Sequence, residues 1–170
     1  TEFSRVVVET SFDADRPLMV WTFAEDAEGS LWIGTNWGLL RRLPNGQIVV
    51  WRNSPASPDG NARTVFALSF DPDGRLWIGY SNGLVVLRPL PAAKTNAEDK
   101  TPWRILRRTA PSGISLPEVA GDAVWLTAAD GLAGEDVLAL ARTVDGKLWI
   151  GSSFGLSSFS IVSTNPARFS

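Results

Sequence analysis

Leu31-Trp32-Ile33-Gly34 decides the fold, because the same four residues return at 76–79 and again at 148–151. Extended outward without gaps, the copies become three twenty-residue windows in which eight positions are identical. The windows are 20–39, 65–84 and 137–156. Self-similarity of this kind marks a repeat protein in which each copy forms one supersecondary unit.

Each window predicts three strands joined by two tight turns, and the second copy shows this most clearly. Val65–Phe70 is a β-rich apolar run that ends at Asp71-Pro72-Asp73-Gly74, where Pro fixes φ and Gly is free to take a positive φ. Leu76–Gly79 forms the second strand, and a turn at 81–83 leads into the third strand, Leu84–Leu87. The first two strands are apolar on both faces, which indicates that both sides of the sheet are covered.

Two positions of the repeat carry expectations about packing between sheets. Large aromatic side chains in mid-strand fill the space between neighbouring sheets, which we expect of Trp32, Trp77 and Trp149. A glycine inside a strand often marks close approach of another backbone, which we expect of Gly34, Gly79 and Gly151.

A fourth, more polar strand accompanies each window. Gln47–Trp51 precedes the second window, Ala123–Leu126 the third, and Arg5–Val8 the first. Trp32 and Trp77 are 45 residues apart, and four-stranded units of about 40–50 residues are typical of β-propeller blades. The sequence therefore predicts an all-β fold of about three four-stranded antiparallel blades, which is an incomplete ring or part of a larger or oligomeric propeller.

The whole chain, 1–170, is predicted to be a single propeller region. We place the blades at approximately 19–52, 64–127 and 137–161, with residues 4–9 as a fourth strand of another blade and 89–121 as an insertion. The insertion contains Trp103–Arg108, whose arginines would form an anion site or guard a sheet edge against aggregation. The fourth strand of the second blade is either Trp103–Arg108 or Ala123–Thr127.

The composition excludes several classes of function. The 170 residues contain no His and no Cys and carry a net charge of −2. There is therefore no imidazole base, thiolate zinc site or cysteine nucleophile. The net charge also gives no indication of the basic surface that binds nucleic acid. We expect no catalytic residue, metal or cofactor. Five carboxylates in the predicted turns lack the regularly spaced oxygen ligands of an EF-hand calcium loop and are interpreted as turn residues. They are Asp26, Glu28, Asp71, Asp73 and Asp145.

Loops at one edge of the blades contain the candidate ligand-binding residues. Binding sites are commonly placed on loops over a rigid scaffold, here the loops that join second to third strands and one blade to the next. Trp37 is the leading candidate, because a large aromatic residue in a turn is costly to expose and therefore either packs on a neighbouring loop or binds a ligand. The candidates are Asn36, Trp37, Tyr80, Asn82 and Phe154. Arg41 and Arg42 are assigned to an outer strand, where exposed charge is expected.

The repeat resembles the two-component regulator propeller family. The pattern Val-x-x-[Phe/Leu]-x-x-Asp-x-[Glu/Asp]-Gly-x-Leu-Trp-Ile-Gly-x-x-x-Gly-Leu carries the resemblance, and Thr127–Leu132 is similar to the family's linker between blades. Thr143 departs from the pattern, since the other copies have Asp26 and Asp71. In that family the repeats form the extracytoplasmic sensor region of bacterial hybrid histidine kinases, upstream of a membrane span and the kinase, and some members sense carbohydrate fragments.

The resemblance implies a sensor module on the periplasmic or extracellular side of a bacterial membrane. Its ligand would be a small molecule or an oligosaccharide, and a kinase region would follow in the full-length protein. Two alternatives stay open: a structural or protein-interaction scaffold that assembles as an oligomer, and a propeller lyase or lactonase with only carboxylates as bases. Three blades cannot close a ring, so we expect Ser4–Glu9 to pair with another copy or with residues outside this chain.

Overall fold

The structure, a computed structural model, describes residues 17–51, 64–95, 104–105 (backbone only) and 116–160. Two short 3₁₀ turns lie at Ala92–Lys94 and Ala128–Asp130, and the other regular elements of these ranges are strands. The strands are β1 Val20–Glu25, β2 Leu31–Thr35, β3 Gly38–Arg42, β4 Ile48–Trp51, β5 Val65–Phe70, β6 Leu76–Tyr80, β7 Gly83–Leu87, β8 Arg104–Ile105, β9 Asp122–Leu126, β10 Val137–Arg142, β11 Lys147–Ser152 and β12 Gly155–Ser160.

The strands form three sheets, called blades one, two and three in chain order. Blade one has the strand order β1-β2-β3-β4, blade two the order β5-β6-β7-β9-β8, and blade three the order β10-β11-β12. Strand β5 contacts both β1 and β10, so the first strands of the blades lie side by side, as the inner strands of a propeller do. The all-β fold of propeller blades predicted from the repeat is confirmed.

Strand β9 takes the fourth position in blade two. It pairs antiparallel with β7, with Val85 opposite Trp125 and Val86 opposite Val124. Strand β8 lies beyond β9 and runs parallel to it, so Arg104–Ile105 form an additional outer strand. The limits 19–52, 64–127 and 137–161 stay a proposal, and the fourth strand expected at residues 4–9 lies outside the described residues.

Two apolar cores fill the spaces between the blades. The first contains Trp32 and Leu39 of blade one together with Ile78 of blade two, and the second contains Trp77 of blade two together with Ile150 of blade three. Side chains alternate along a strand, so β6 sends Ile78 towards blade one and Trp77 towards blade three. Burial of such a side chain stabilises a fold by about 1.5–3 kcal/mol, which makes β6 a central element of the array.

The glycine expectation is confirmed at two of its three positions. A Cβ on Gly34 would lie 2.9 Å from the carbonyl oxygen of Val65, and one on Gly79 would lie 2.7 Å from that of Val137. Both oxygens belong to the following blade. A Cβ on Gly151 would find only Ala139 of its own blade, with the nearest atom at 3.4 Å.

The expectation that the tryptophans fill the space between sheets holds for the first two copies of the repeat and fails for the third. Trp32 and Trp77 are buried, as expected. Trp149 is only partly buried, and for this copy the expectation of a fully buried ring is wrong. The physical reason is that, among the described residues, no sheet packs against the outer side of blade three.

Candidate functional site

The five candidate ligand-binding residues lie at the edge of the blades where second strands turn into third strands, called the loop edge below. The turns occupy 36–37, 81–82 and 153–154, and each is followed by a glycine. Gly38, Gly83 and Gly155 have φ values of 118°, 142° and 145°, which L side chains rarely adopt. This backbone requirement explains why the repeat keeps glycine at the position after each turn.

Three of the candidates are held within the protein at the loop edge. Asn36 fastens the segment that enters β1, because its Oδ1 accepts from the backbone N–H of Met19 at 2.8 Å and its Nδ2 donates to the carbonyl oxygen of Pro17 at 3.1 Å. Trp37 is 7% exposed. Tyr80 is fully buried, and burial raises the pKa of its hydroxyl above the usual range. These side chains shape the turns and present little surface to solvent.

Asn82 and Phe154 are placed differently. Asn82 is partly exposed, and its buried Oδ1 has no hydrogen-bond partner in the described part of the chain. Phe154 is 82% exposed, and its ring lies beside the backbone of Gly134 in the segment between blades two and three. Phe154 is therefore the accessible aromatic ring of the candidate set, whose role in binding stays a prediction.

An aspartate organises the turn between first and second strands at the opposite edge, called the turn edge below. In blade two, Asp71 Oδ1 accepts from the backbone N–H groups of Asp73 at 3.0 Å and Arg75 at 2.9 Å. Its Oδ2 accepts from Arg75 Nε at 2.7 Å and from Trp77 Nε1 at 3.1 Å. The aspartate thus ties the turn to the buried tryptophan of the next strand.

Asp26 repeats this arrangement in blade one with a different arginine. Its Oδ2 accepts from Trp32 Nε1 at 2.9 Å and from Arg41 Nη2 at 2.7 Å. Burial alone would raise the pKa of the Asp26 carboxyl, but hydrogen bonds from Trp32 and Ser30, together with the charge of Arg41, outweigh it and hold the pKa below 3.8. Both aspartates act as turn residues here.

The exposed position expected for Arg41 is wrong. Its side chain is only 2% exposed. Arg41 lies opposite Trp32 in the antiparallel pair of β2 and β3, so both side chains share one face. The guanidinium lies 4.7 Å from the centre of the Trp32 ring and pairs with Asp26, which compensates the charge. Arg42 is exposed, as expected.

A cavity of about 210 Å³ opens between blades one and two at the turn edge. Its charged wall includes Glu28, Arg41 and Arg88, and its apolar wall includes Phe70 and Pro89–Pro91. Neither the repeat pattern nor the loop-edge hypothesis indicated a cavity here. The only available signal was that Arg88 and the following prolines leave the repeat pattern.

A short segment of blade two, Pro89–Thr95, crosses back to blade one beside this cavity and is called the strap below. Arg41 Nη1 donates to the carbonyl oxygen of Leu90 at 2.7 Å and to Thr95 Oγ1 at 3.0 Å. The backbone N–H of Ala92 donates to Glu28 Oε2 at 2.6 Å. Arg41 and Glu28 of blade one therefore hold the strap in place over the turn edge.

Two further properties concern metals and membranes. Within ranges 17–51, 64–95 and 116–160, no group of three or more Asp and Glu residues is arranged to hold a metal ion. No helix in the described part of the chain is long and apolar enough to cross a membrane.

Comparison with known families identifies the repeat. Residues 16–37 and 59–82 match the family described as two component regulator propeller. The chain is therefore similar to this family over two of its three repeat copies. The resemblance inferred from the sequence pattern is thereby confirmed. The matched segments contain the first two Leu-Trp-Ile-Gly copies, both preceded by the aspartate that binds the tryptophan indole.

Two solved structures with a similar fold are those of extracellular domains. Two structures of an extracellular domain from B. thetaiotaomicron, titled as a hybrid two component system in one and a one component system in the other, align with TM-scores of 0.52 at 20% and 22% identity. They cover 95% and 91% of this chain, which spans only 17% of either domain. At this identity the similarity establishes the fold alone. No curated protein matches the sequence.

Proposed function

We propose that this chain is part of a ligand-sensing propeller on the extracytoplasmic side of a bacterial membrane. The observation that carries the proposal is the match of two repeat copies to the two component regulator propeller family. The extracellular placement of the B. thetaiotaomicron domains with a similar fold supports the location. A kinase region elsewhere in the full-length protein would receive the signal, and the chain itself would have no catalytic role.

The ligand would bind at the loop edge, and a carbohydrate fragment suits this edge best. Phe154 offers an exposed ring face, the kind of surface on which a sugar ring stacks, and the partly exposed Asn82 lies at the equivalent turn position of blade two. Asn36, Trp37 and Tyr80 would support the site by fixing the turns. This division follows from burial, because the last two rings lie inside the protein.

Titration calorimetry with xylo-, cello- and malto-oligosaccharides tests the proposal. The wild-type chain should bind one of these classes, and Phe154→Ala should weaken that binding by about tenfold or more, as the loss of an aromatic anchor does. Val144→Ala is the control, because Val144 is also a solvent-exposed apolar residue in a turn but lies at the turn edge. Equal affinity of wild type and Phe154→Ala, or no binding, would contradict sugar binding at this edge.

A second candidate function, an interaction scaffold, is favoured by the two outer faces of the array. Phe23 is 60% exposed on the side of blade one that faces away from blade two, and Leu156 is 65% exposed on the outer side of blade three. Exposed apolar faces of this kind mark interaction surfaces. Light scattering tests this function: the wild type should exceed the monomer mass, and Leu156→Asp should return it to the monomer. A monomeric wild type would contradict the scaffold.

A further inference from the structure

The cavity at the turn edge is lined by two arginines, Arg41 and Arg88, whose partners among the described residues leave part of their hydrogen-bonding capacity unused. Arg88 follows β7, and its Nη1 donates to the carbonyl oxygen of Asp73. No carboxylate of a described residue lies within ion-pair distance of Arg88. Arg41 lines the same cavity, and its side chain is only 2% exposed. The buried Arg41 Nε–H has no acceptor among the described residues, although a buried donor without a partner is energetically costly.

The acidic groups around the cavity are already engaged. Both oxygens of Asp26 accept hydrogen bonds from the turn, the tryptophan and Arg41. Asp73 Oδ2 pairs with Arg75, and Glu28 Oε2 accepts from the strap. Because these carboxylates have donors of their own, the unused hydrogen-bonding capacity of the cavity consists of N–H groups on arginine.

The repeat does not need an arginine at this position. Leu43 occupies the equivalent place in blade one, where it is buried in the core between the blades. In blade two the equivalent Arg88 sits in the wall of a cavity instead. The arginine therefore has no packing role comparable to that of Leu43, and its guanidinium, with a fixed fork of donors, matches the geometry of a carboxylate.

We propose that this cavity binds a small molecule that carries a carboxylate on a ring-sized body. The carboxylate pairs with Arg88, and the ring packs on Phe70 and Pro89. The volume of about 210 Å³ lies below the range of drug-sized ligand pockets, which limits the body to about one six-membered ring. The ring is either apolar and aromatic or that of a sugar acid, and both share the recognised carboxylate.

This site is independent of the proposed loop-edge site. The turns at Asp26–Ser30 and the end of β7 lie at one end of the antiparallel strands, and Phe154 lies at the other end. Phe154→Ala should leave carboxylate binding unchanged, and removal of Arg88 should leave oligosaccharide binding unchanged. Failure of one proposal is therefore distinguishable from failure of the other.

Titration calorimetry with two matched pairs of probes tests the proposal on the wild-type chain. Benzoate and benzamide share an aromatic ring, and glucuronate and glucose share a sugar ring, so each pair differs mainly in the carboxylate. We expect the carboxylate of at least one pair to bind about tenfold or more tightly than its neutral counterpart, as charge-assisted hydrogen bonds to arginine are the stronger kind. The pair that shows the difference identifies the ring.

Substitutions at Arg88 assign the binding to the cavity. Arg88→Met should reduce the affinity for the carboxylate about tenfold or more, Arg88→Lys should retain part of it, and the exposed Arg42→Met should not change it. Equal affinities within both pairs, no binding of either carboxylate, or full affinity in Arg88→Met would overturn the proposal. If Arg88→Met does not fold, the comparison of the probe pairs on the wild type still decides it.

Discussion

Blades one and two differ from blade three in what surrounds the same residues. Leu39 and Leu84 are 0% exposed, whereas the identical Leu156 is 65% exposed. The opposite end of the array mirrors this, because Val65 and Val137 are 0% exposed and Val20 is 46% exposed. Burial in this repeat is therefore a property of the interface between two blades, and a single blade cannot supply it.

The turn between first and second strands also differs between blade three and the other two blades. In blades one and two an aspartate accepts from the indole of the following tryptophan, Trp32 or Trp77. In blade three Thr143 occupies that position, and its hydroxyl bonds with Asp145 Oδ1 instead. The third turn is thus held by short-range contacts at the surface, and the described residues give Trp149 neither a carboxylate acceptor nor a neighbouring blade on its side.

Removal of the buried tryptophan should have the largest effect. Trp77→Ala empties the core between blades two and three and should lower the free energy of unfolding by about 3–5 kcal/mol. Trp149→Ala removes the same atoms from a partly exposed site and should lower it by less than half as much. Urea melts of both variants measure the difference. Equal losses would mean that blade three is covered as completely as blade two.

The two glycines should respond to alanine in opposite ways. Gly79→Ala places a Cβ 2.7 Å from the carbonyl oxygen of Val137, so the blades must move apart, at a loss of about 1–3 kcal/mol. Gly151→Ala meets its nearest atom at 3.4 Å and should be neutral or slightly stabilising, since alanine restricts the unfolded chain. Thermal melts of the two variants give the ranking, and a comparable loss in both would refute the close-approach argument.

The regularities of the repeat could be predicted from the sequence. The order of strands and the close approach at Gly34 and Gly79 follow from positions that recur in every copy, and the turn aspartate from a position shared by the first two copies. A residue recurs at the same position because each copy has the same backbone conformation there and packs against its neighbouring blade in the same way. Trp149 shows the limit of that argument, because burial also depends on whether a neighbour is present.

The features that break the repeat could not be predicted in the same way. From the sequence, Arg41 is expected to be an exposed surface charge. The pairing of β2 with β3 instead places it on the same face as Trp32, beside the carboxylate of Asp26. Arg88 and the strap reach the cavity through contacts between residues up to 64 positions apart, such as that of Ala92 with Glu28. Neither hydrophobic periodicity nor spacing contains this long-range information.

Restoring the aspartate in blade three should stabilise it modestly. Thr143→Asp supplies an acceptor for Trp149 Nε1 in the geometry that Asp71 has in blade two, and a net hydrogen bond contributes about 0.5–1.5 kcal/mol. Lys147 lies where Arg75 lies in blade two and would pair with the new carboxylate. A double-mutant cycle of Thr143→Asp with Trp149→Phe isolates the indole contribution. The absence of coupling between the two changes would show that the aspartate acts only on the turn.

The pH dependence of stability should differ between the turn that contains Asp26 and the turn that contains Asp145, and this is the smallest of the effects predicted here. The pKa of Asp26 is below 3.8 in the folded chain, because hydrogen bonds and Arg41 outweigh the burial that would raise it. A carboxyl with a lowered pKa stabilises the fold above the unfolded pKa, and this stabilisation is lost as pH falls through the folded pKa. The deficit of Asp26→Asn against wild type should therefore be largest above about pH 4 and shrink below it.

Asp145 supplies the comparison for this measurement in blade three. The hydrogen bond from Thr143 lowers its pKa, but the side chain is 53% exposed and solvent screens its interactions. Asp145→Asn should therefore change the pH dependence less than Asp26→Asn does. Urea melts from neutral pH into the acid range, at one ionic strength, measure both deficits. A deficit of Asp26→Asn that does not vary with pH would mean that its carboxylate charge, as distinct from its hydrogen bonds, adds nothing to stability.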